Sequence, residues 1–363
     1  MRTKNGVEGS REESQGRSPK GTPRAFGFRM PPEWAHHRAT WLTWPRGEGI
    51  SFPGKEKKMI AFWADLVQLL SSGEIVRVNC FSREQRKSVQ DLLQARGLAL
   101  GRRVLLYESP AYEPWCRDHG PIFVQNGRET AIVDWGYDAW GKKYPPYSLD
   151  DLVPQRAAFF LGMRCFEPGI VLEGGAIDTN GEGTFLVGSR CLLDPVRNPG
   201  MTRERMEWAL REYLGAERII WLEAEIVGDD TDGHVDEIAR FIDRSTIVVA
   251  RVQDPEDPNY APLEENFERL QAEAARGPER LRLVALPMPG AIYEGETRLP
   301  ASYANFYFSN EALLFPAFGD PMDAVAGEIF GKLVRDRPTV PVPARDLVWG
   351  FGGLHCITQQ EPE

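Results

Sequence analysis

ATWLTW at residues 39–44 and IVRVNC at 75–80 bracket a helical spacing, and that bracket decides the fold class. Both runs are short, apolar and rich in β-branched or aromatic residues, as buried strands are. Between them Ile60, Trp63, Leu66, Val67 and Leu70 recur at helical intervals, and Gly73 closes the helix. Strand, helix and strand in that order predict an α/β chain.

Outward from this bracket the alternation continues. Ser82 is a good N-cap for a helix running to about Arg96, closed by Gly97, and VLLY (104–107) reads as a strand. Further strands are expected at PIFV (121–124), TAIVDW (130–135), TFLVGS (184–189), STIVVARV (245–252) and ALLFPAF (312–318). Helices are expected over 201–214, 262–275 and 321–334. Short strands plus one helix thus recur roughly five times. Thirty-five Gly and 28 Pro suit many tight turns. No Pro- or Ser-rich linker divides residues 26–363, so a single domain is expected there. Periodicity alone leaves an α/β propeller and an irregular α/β sandwich both open.

Upstream, residues 1–25 carry six Lys or Arg, three Glu and almost nothing apolar. That composition predicts a disordered tail and lacks the apolar core of a signal peptide. The whole chain has 363 residues, 42% hydrophobic and 26% charged, with a net charge of −10. Such a balance excludes disorder throughout and supports a large core. No apolar run reaches membrane-spanning length, so no membrane partner is expected. An acidic chain is a poor polyphosphate binder, which argues against nucleic acid and for a small cation. Five scattered cysteines give neither a disulfide framework nor zinc spacing, so a reducing cytoplasm is expected. A homo-oligomer stays open.

Four islands hold the unusual polar density. EPWCRDHGP (113–121) sets Trp115 three residues before Asp118 at a loop-to-strand junction. Its structural alternative is a capped turn with a surface Arg117–Asp118 pair. His119 and Cys116 read as neighbours of the chemistry. LEGGAIDTNGEG (172–183) follows Glu173 with two glycines, which permit a tight turn or a close approach. It lacks a dinucleotide fingerprint. DDTDGHVDEIARF (229–241) packs four Asp, one Glu and His234 into nine residues. A calcium loop would need an acid or amide where Gly228 stands, and no HExxH or second nearby His supports zinc, so no metal is expected. If the stretch after Gly233 is extended, His234 and Asp236 face one side. FGGLHCITQQEP (351–362) sets Cys356 among flexible polar flanks, which suit a reactive thiol. His355, next to it, points to the opposite face in an extended segment.

WCRDHGP, LEGGAID, LLDPVRNPG, DDTDGHVDEIARF, RLPASYANFYFSN, FPAFGDPMD and GGLHCITQQEP, taken in order with the opening PPEWAHHRATWLTWP, resemble the agmatine deiminase family of guanidine-modifying enzymes. The resemblance covers about residues 28–362. It implies the pentein fold, a five-bladed pseudo-symmetric α/β propeller with its site on the axis. It also implies cysteine-dependent hydrolysis of a small cationic guanidine without metal or organic cofactor. Position by position, Cys356 matches the nucleophile, His234 the acid/base and Glu173 the acid that orients it. Asp118 and Asp236 match the guanidinium-binding carboxylates, and Trp115 and Asn305 the pocket wall. Two departures, EPW (113–115) and DWGYDAWGKKYPPY (134–147), lie where the substrate's far end is expected.

That chemistry needs these residue types. A guanidinium is planar and permanently charged, and paired carboxylates grip its N–H edges. A thiolate can then attack the fixed carbon, while a histidine passes protons to the leaving nitrogen and from water. Agmatine leads as substrate, ahead of arginine, aminopropyl-agmatine and peptidyl-arginine. A non-catalytic pentein binding module and a metal-dependent hydrolase are the readings from other classes.

Overall fold

The computed structural model describes residues 21–223, 225–276 and 280–363. Strand β1 (His37–Thr43) runs parallel to β2 (Ile75–Cys80), with Ala39 opposite Ile75 and Thr43 opposite Asn79. The helix Glu56–Leu70 crosses between them and buries Met59, Trp63, Leu66, Val67 and Leu70. Ile60, counted in the same stripe from sequence, faces solvent. A second crossover helix, Arg83–Ala95, leads to β3 (Val104–Glu108), parallel to β2. Ser82 Oγ caps it by accepting from the Gln85 N–H at 3.2 Å, and Gly97 follows at φ 82°.

The unit then recurs. β4 (Ile122–Gln125), β5 (Thr130–Val133) and β6 (Cys165–Phe166) form one sheet, and β7 (Ile177–Thr179), β8 (Thr184–Gly188) and β9 (Arg218–Leu222) the next. β10 (Ala239–Phe241), β11 (Thr246–Arg251) and β12 (Arg282–Pro287) form another. After a ribbon of β13 (Tyr293–Glu294) and β14 (Thr297–Arg298) come β15 (Tyr307–Phe308), β16 (Leu313–Ala317) and β17 (Thr339–Pro343). In every three-stranded sheet the first strand pairs antiparallel with the second, and the second pairs parallel with the third. A parallel partner cannot be reached by a hairpin, so each second-to-third link carries a helix. These are Val153–Leu161, Arg203–Leu214, Tyr260–Ala274 and Met322–Leu333, within two residues of the ends expected from sequence for the last three. The first sheet follows the same rule: β18 (Gln359–Pro362) lies antiparallel against β1, with Trp41 opposite Gln359. The chain is therefore a mixed α/β fold of five like units.

Each helix buries its stripe on its own sheet. Met206, Ala209, Leu210 and Leu214 pack with Phe185 and Val187 of β8. The five leading strands β4, β7, β10, β15 and β18 are only two to four residues long. Sequence reading found β4 but passed over the other four, because runs this short carry no periodicity. They matter most for the site, since the segment entering each one carries a polar residue inward.

The tail expected over 1–25 lies outside the described residues as far as residue 20. Residues 21–25 correct that boundary. Pro23 opens a 3-10 turn, Pro23–Phe26, that Gly27 closes at φ 77°. Thr22 is buried and donates its hydroxyl to Glu212 Oε2 at 2.9 Å. Pro at the first position and Gly past the last are capping signals that a composition count does not register. No helix among the described residues is long and apolar enough to cross a membrane.

Candidate active site

Five turns meet at one place. Asp118 sits on the short helix Cys116–His119 before β4, and Glu173 caps the 3-10 turn Gly174–Ala176 before β7. His234 caps the 3-10 turn Val235–Glu237 before β10, and that turn carries Asp236. Asn305 precedes β15, and Cys356 precedes β18. All are buried. The turn after Gly233 is 3-10 rather than extended, yet it still brings His234 and Asp236 to one side. Gly175 explains the double glycine. A Cβ there would stand 2.5 Å from His234 Nδ1, 2.9 Å from Asp118 Oδ1 and 3.1 Å from Asp236 Oδ2. Only glycine lets three functional side chains share that spot.

His234 is flanked by carboxylates. Its Nδ1 lies 3.6 Å from Asp118 Oδ1 and its Nε2 3.7 Å from Glu173 Oε2. Neither ring nitrogen has a protein hydrogen-bond partner. Burial alone disfavours the charged ring, but Asp118 and Glu173 outweigh it and lift its pKa to about 9. Glu173 is itself held ionised. Burial opposes this, and Arg197, then His234, overcome it and keep the carboxyl below its usual range. The Arg197 Nε donates to Glu173 Oε1 at 2.8 Å, and its Nη1 donates to Asp194 Oδ2 and Asp232 Oδ2 at 2.9 and 2.7 Å. Arg197 lies within LLDPVRNPG, but no local pattern tells that its partners are Glu173 and the 229–233 loop.

The two aspartates differ in company. Asp118 Oδ1 accepts from the Gly175 N–H and Oδ2 from the Trp140 indole N–H, both at 3.0 Å. Burial pushes its pKa up to about 6, against the pull of His234. Asp236 Oδ2 instead meets His355 Nδ1 at 2.7 Å, and His355 Nε2 meets Glu33 Oε2 at 2.7 Å. Burial opposes its ionisation, but His355 outweighs burial and keeps Asp236 low. His355 and Cys356 lie in a turn, not an extended segment, and both side chains reach Asp236 Oδ2, the imidazole at 2.7 Å and the thiol at 3.8 Å. The surface pair between Arg117 and Asp118 does not form. Arg117 is buried and donates to Gln359, Gln360 and Glu33.

Cys356 corrects another expectation. Its flanks are packed, not flexible: Leu354 and Ile357 are fully buried. Its Sγ accepts from Asn305 Nδ2 at 3.3 Å and lies 3.8 Å from Asp236 Oδ2 and 3.9 Å from Glu237 Oε1. Burial, then Asp236, Glu237 and Asp118, push the thiol well above its ordinary pKa. Glu237, which sequence reasoning missed, is also pushed up, by burial and then by Asp236. Asn305 is not a wall residue. It does not line the cavity, and it donates to Glu237 Oε1 at 2.9 Å as well as to the sulfur. Gly353 lets it come close, for a Cβ there would be 2.2 Å from Asn305 Oδ1. Asp236, Glu237 and Cys356 place one potential metal-ligand atom each within 4.8 Å of one another. Any cation of suitable shape could answer that set.

A cavity of about 270 Å³ opens over Asp118 and Cys356. Trp115, Trp140 and Trp349 line it, with Glu113, Asp230 and Glu294, and its described lining holds no Lys or Arg. Both sequence departures therefore reach the cavity. Glu113 pins the loop beside it, accepting from the Ile50 and Ser51 N–H groups at 3.0 and 3.2 Å. Trp140 belongs to a left-handed turn: Ala139, Trp140, Gly141 and Lys142 have φ of 55°, 55°, 81° and 65°. That conformation costs about 1–2 kcal/mol for each residue with a side chain. His119 and Cys116 do not line the cavity: His119 Nε2 pairs with the Glu113 carbonyl at 3.1 Å, and Cys116 is fully buried.

The sequence matches the family of Porphyromonas-type peptidyl-arginine deiminases over residues 29–362. An agmatine deiminase of Ectopseudomonas mendocina is 35% identical over 365 residues, covering 94% of this chain and 97% of that one. The agmatine deiminase of Enterococcus faecalis, solved catalysing its reaction, superposes with a TM-score of 0.86 at 29% identity, over 96% of this chain and 99% of that one. A cysteine-to-serine variant of the C. jejuni agmatine deiminase with substrate bound gives 0.83 at 29% identity, over 93% and 96%.

Proposed function

This chain belongs to the Porphyromonas-type peptidyl-arginine deiminase family, and from that premise we propose that it hydrolyses agmatine to N-carbamoylputrescine and ammonia. One observation carries the reading. Asp236 Oδ1, Glu237 Oε2, Glu173 Oε2 and both nitrogens of His234 are buried and have no protein hydrogen-bond partner. Buried polar groups are rarely left unpaired, because each costs about 1–3 kcal/mol. A planar cation rich in N–H donors satisfies the acceptors together. The absence of Lys or Arg from the described lining favours a ligand with no carboxylate at its far end, and three tryptophan faces suit its methylene chain.

The guanidinium is gripped by Asp118 and Asp236, which fix its carbon over Cys356. Its positive charge offsets the acids that hold the thiol neutral, so the thiol proton leaves to solvent on binding. The thiolate adds to the carbon. Protonated His234 gives its proton to one amino nitrogen, the C–N bond breaks and ammonia departs. An amidino-thioether remains on Cys356. Neutral His234 then takes a proton from water, whose oxygen attacks the same carbon. Collapse breaks the C–S bond, the proton of the new hydroxyl passes to the departing sulfur, and the ureido product leaves the resting thiol behind. Glu173, steadied by Arg197, holds the imidazole in place as the third member of other triads does.

The repeat of sheet order five times, with at least one inward-facing polar group before each leading strand, supports a closed five-bladed α/β propeller with these groups on its axis. Five unpaired cysteines support a reducing, cytoplasmic location. The test is direct: purified protein with agmatine should release ammonia and an equal amount of ureido product. A protein that binds agmatine but releases neither would overturn the reading.

A further inference from the structure

Left-handed backbone is normally a habit of single Gly, Asn or Asp residues. Four in succession, three with side chains larger than glycine's, persist only where the surroundings over-determine them. The turn Ala139–Lys142 is held from both ends. Asp138 Oδ1 accepts from the Gly141 N–H at 2.9 Å, and the Lys142 and Lys143 N–H groups bond back to the Asp138 and Ala139 carbonyls at 2.8 and 3.1 Å. Lys143 Nζ reaches the 229–233 loop, donating to the Asp230 carbonyl at 2.7 Å and to Asp232 Oδ1 at 3.0 Å. The Tyr144 hydroxyl bonds the Asp230 carboxylate. The effect is to press the Trp140 indole edge against Asp118 while Trp140 and Asp118 both line the cavity.

We propose that Trp140 is a substrate-positioning residue, held by this left-handed turn so that its N–H fixes which lone pairs of Asp118 face the guanidinium. The proposal rests on the guanidine-hydrolase reading for its kinetic consequence, but the Trp140–Asp118 link is independent of it. With Oδ1 engaged by Gly175 and Oδ2 by Trp140, each oxygen keeps capacity for one donor in a set direction. Around Asp118 stand His234, which favours its charge, and Asp236, Glu173, Glu237, Cys356 and Cys116, which carry or could acquire negative charge, with Tyr137 alongside. In that company a donated indole N–H is one of few contacts helping Asp118 stay ionised. The stretch that departs from the family pattern thereby acts on the shared carboxylate.

Trp140→Phe is the test, because it keeps an aromatic wall and removes the N–H. KM for agmatine should rise about tenfold with kcat changed less, the size expected for one hydrogen bond to a charged group. The acid limb of kcat/KM should move to higher pH, since Asp118 loses a contact that favours its charged form. An aromatic wall with no hold on Asp118 would leave the acid limb where it is, and that result overturns the proposal. A second readout needs no turnover. In protein labelled with 15N-tryptophan, the indole resonance missing from Trp140→Phe should shift with a midpoint near the Asp118 value of about 6 and stop shifting in Asp118→Asn. A resonance indifferent to Asp118→Asn overturns the proposal even if the enzyme is active. Titration without turnover of any guanidine would keep the link and remove the function reading instead.

Discussion

Two charge clusters lie side by side in this molecule, and they are built on opposite rules. Around Glu33 the chain answers both oxygens: Oε1 accepts from the Phe308 N–H at 2.9 Å and faces Arg240, while Oε2 meets Arg117 and His355. Around His234 the carboxylates and the ring leave lone pairs and nitrogens unanswered. The first cluster is satisfied by the chain and therefore serves as scaffold. The second is satisfied only by something added. His355 joins them, with one nitrogen on each side. Burial alone does not distinguish a site from a core; the gathering of several unmet atoms on neighbouring side chains does.

Breaking the open cluster at its thiol should have the largest effect. Cys356→Ala should lose at least about a thousandfold in kcat, because covalent catalysis has no substitute nucleophile there. Its thermal midpoint should stay close to wild type. A retained rate of more than a few per cent would remove the covalent mechanism, and intact-mass trapping of an adduct in His234→Ala would support it.

Breaking the closed cluster should cost stability first. Glu33→Ala leaves Arg117, Arg240 and His355 short of an anion, a loss of about 3–5 kcal/mol seen as a lower denaturation midpoint. Glu237→Gln, in the open cluster, keeps an oxygen to accept from Asn305 in a side chain of the same shape and should barely move that midpoint. Equal losses in the two variants would erase the distinction drawn here.

Substrate choice sharpens the comparison. Arginine would bring a carboxylate into a lining that holds acids and, among the described residues, no base. Its kcat/KM should fall about a hundredfold or more below that of agmatine, the order expected for one poorly paired buried charge. Parity between the two would leave guanidine deimination standing and sink the agmatine assignment.

A smaller effect should appear in the pH dependence of stability. His234 has its pKa raised to about 9 in the folded state, so its contribution is complete below the unfolded value near 6.5 and drains away as pH climbs through 9. Thermal midpoints of wild type should fall across that interval more steeply than those of His234→Asn. Parallel curves would mean that the flanking acids do not hold the proton. Smallest of all, exhaustive chelation should leave the rate unchanged. A loss restored by one defined divalent ion would turn Asp236, Glu237 and Cys356 into metal ligands.

Sequence made the alternation of strands and helices legible wherever a run was long enough to show a period, as at β1, β8, β11 and the crossover helices. It could not show β7, β10 or β15, whose two or three residues have none. The candidate residues were legible where chemistry is dense and local, as in GGLHCITQQEP and DDTDGHVDEIARF. Asn305 was found but misplaced, because whether a residue lines the cavity is decided only in three dimensions. Glu33 and Arg197 escaped notice for the same physical cause. Their partners stand up to 322 residues away in the chain, and nothing local in PPEWA or PVRNP encodes that distance. Trp140 sat in plain view inside a stretch that departs from the family pattern, but its grip on Asp118 depends on a backbone hand that sequence seldom declares.

The pairing of β18 with β1 has a consequence for how the protein comes into being. Synthesis proceeds from Asp118 through Glu173, His234 and Asp236 to Cys356, so the acids and the imidazole leave the ribosome well before the thiol. Until β18 pairs with a strand made more than 300 residues earlier, the acids and the imidazole are present without the sulfur. The closing seam of the architecture is thus also the step that brings Cys356 to the acids, so scaffold and site are completed by the same last strand.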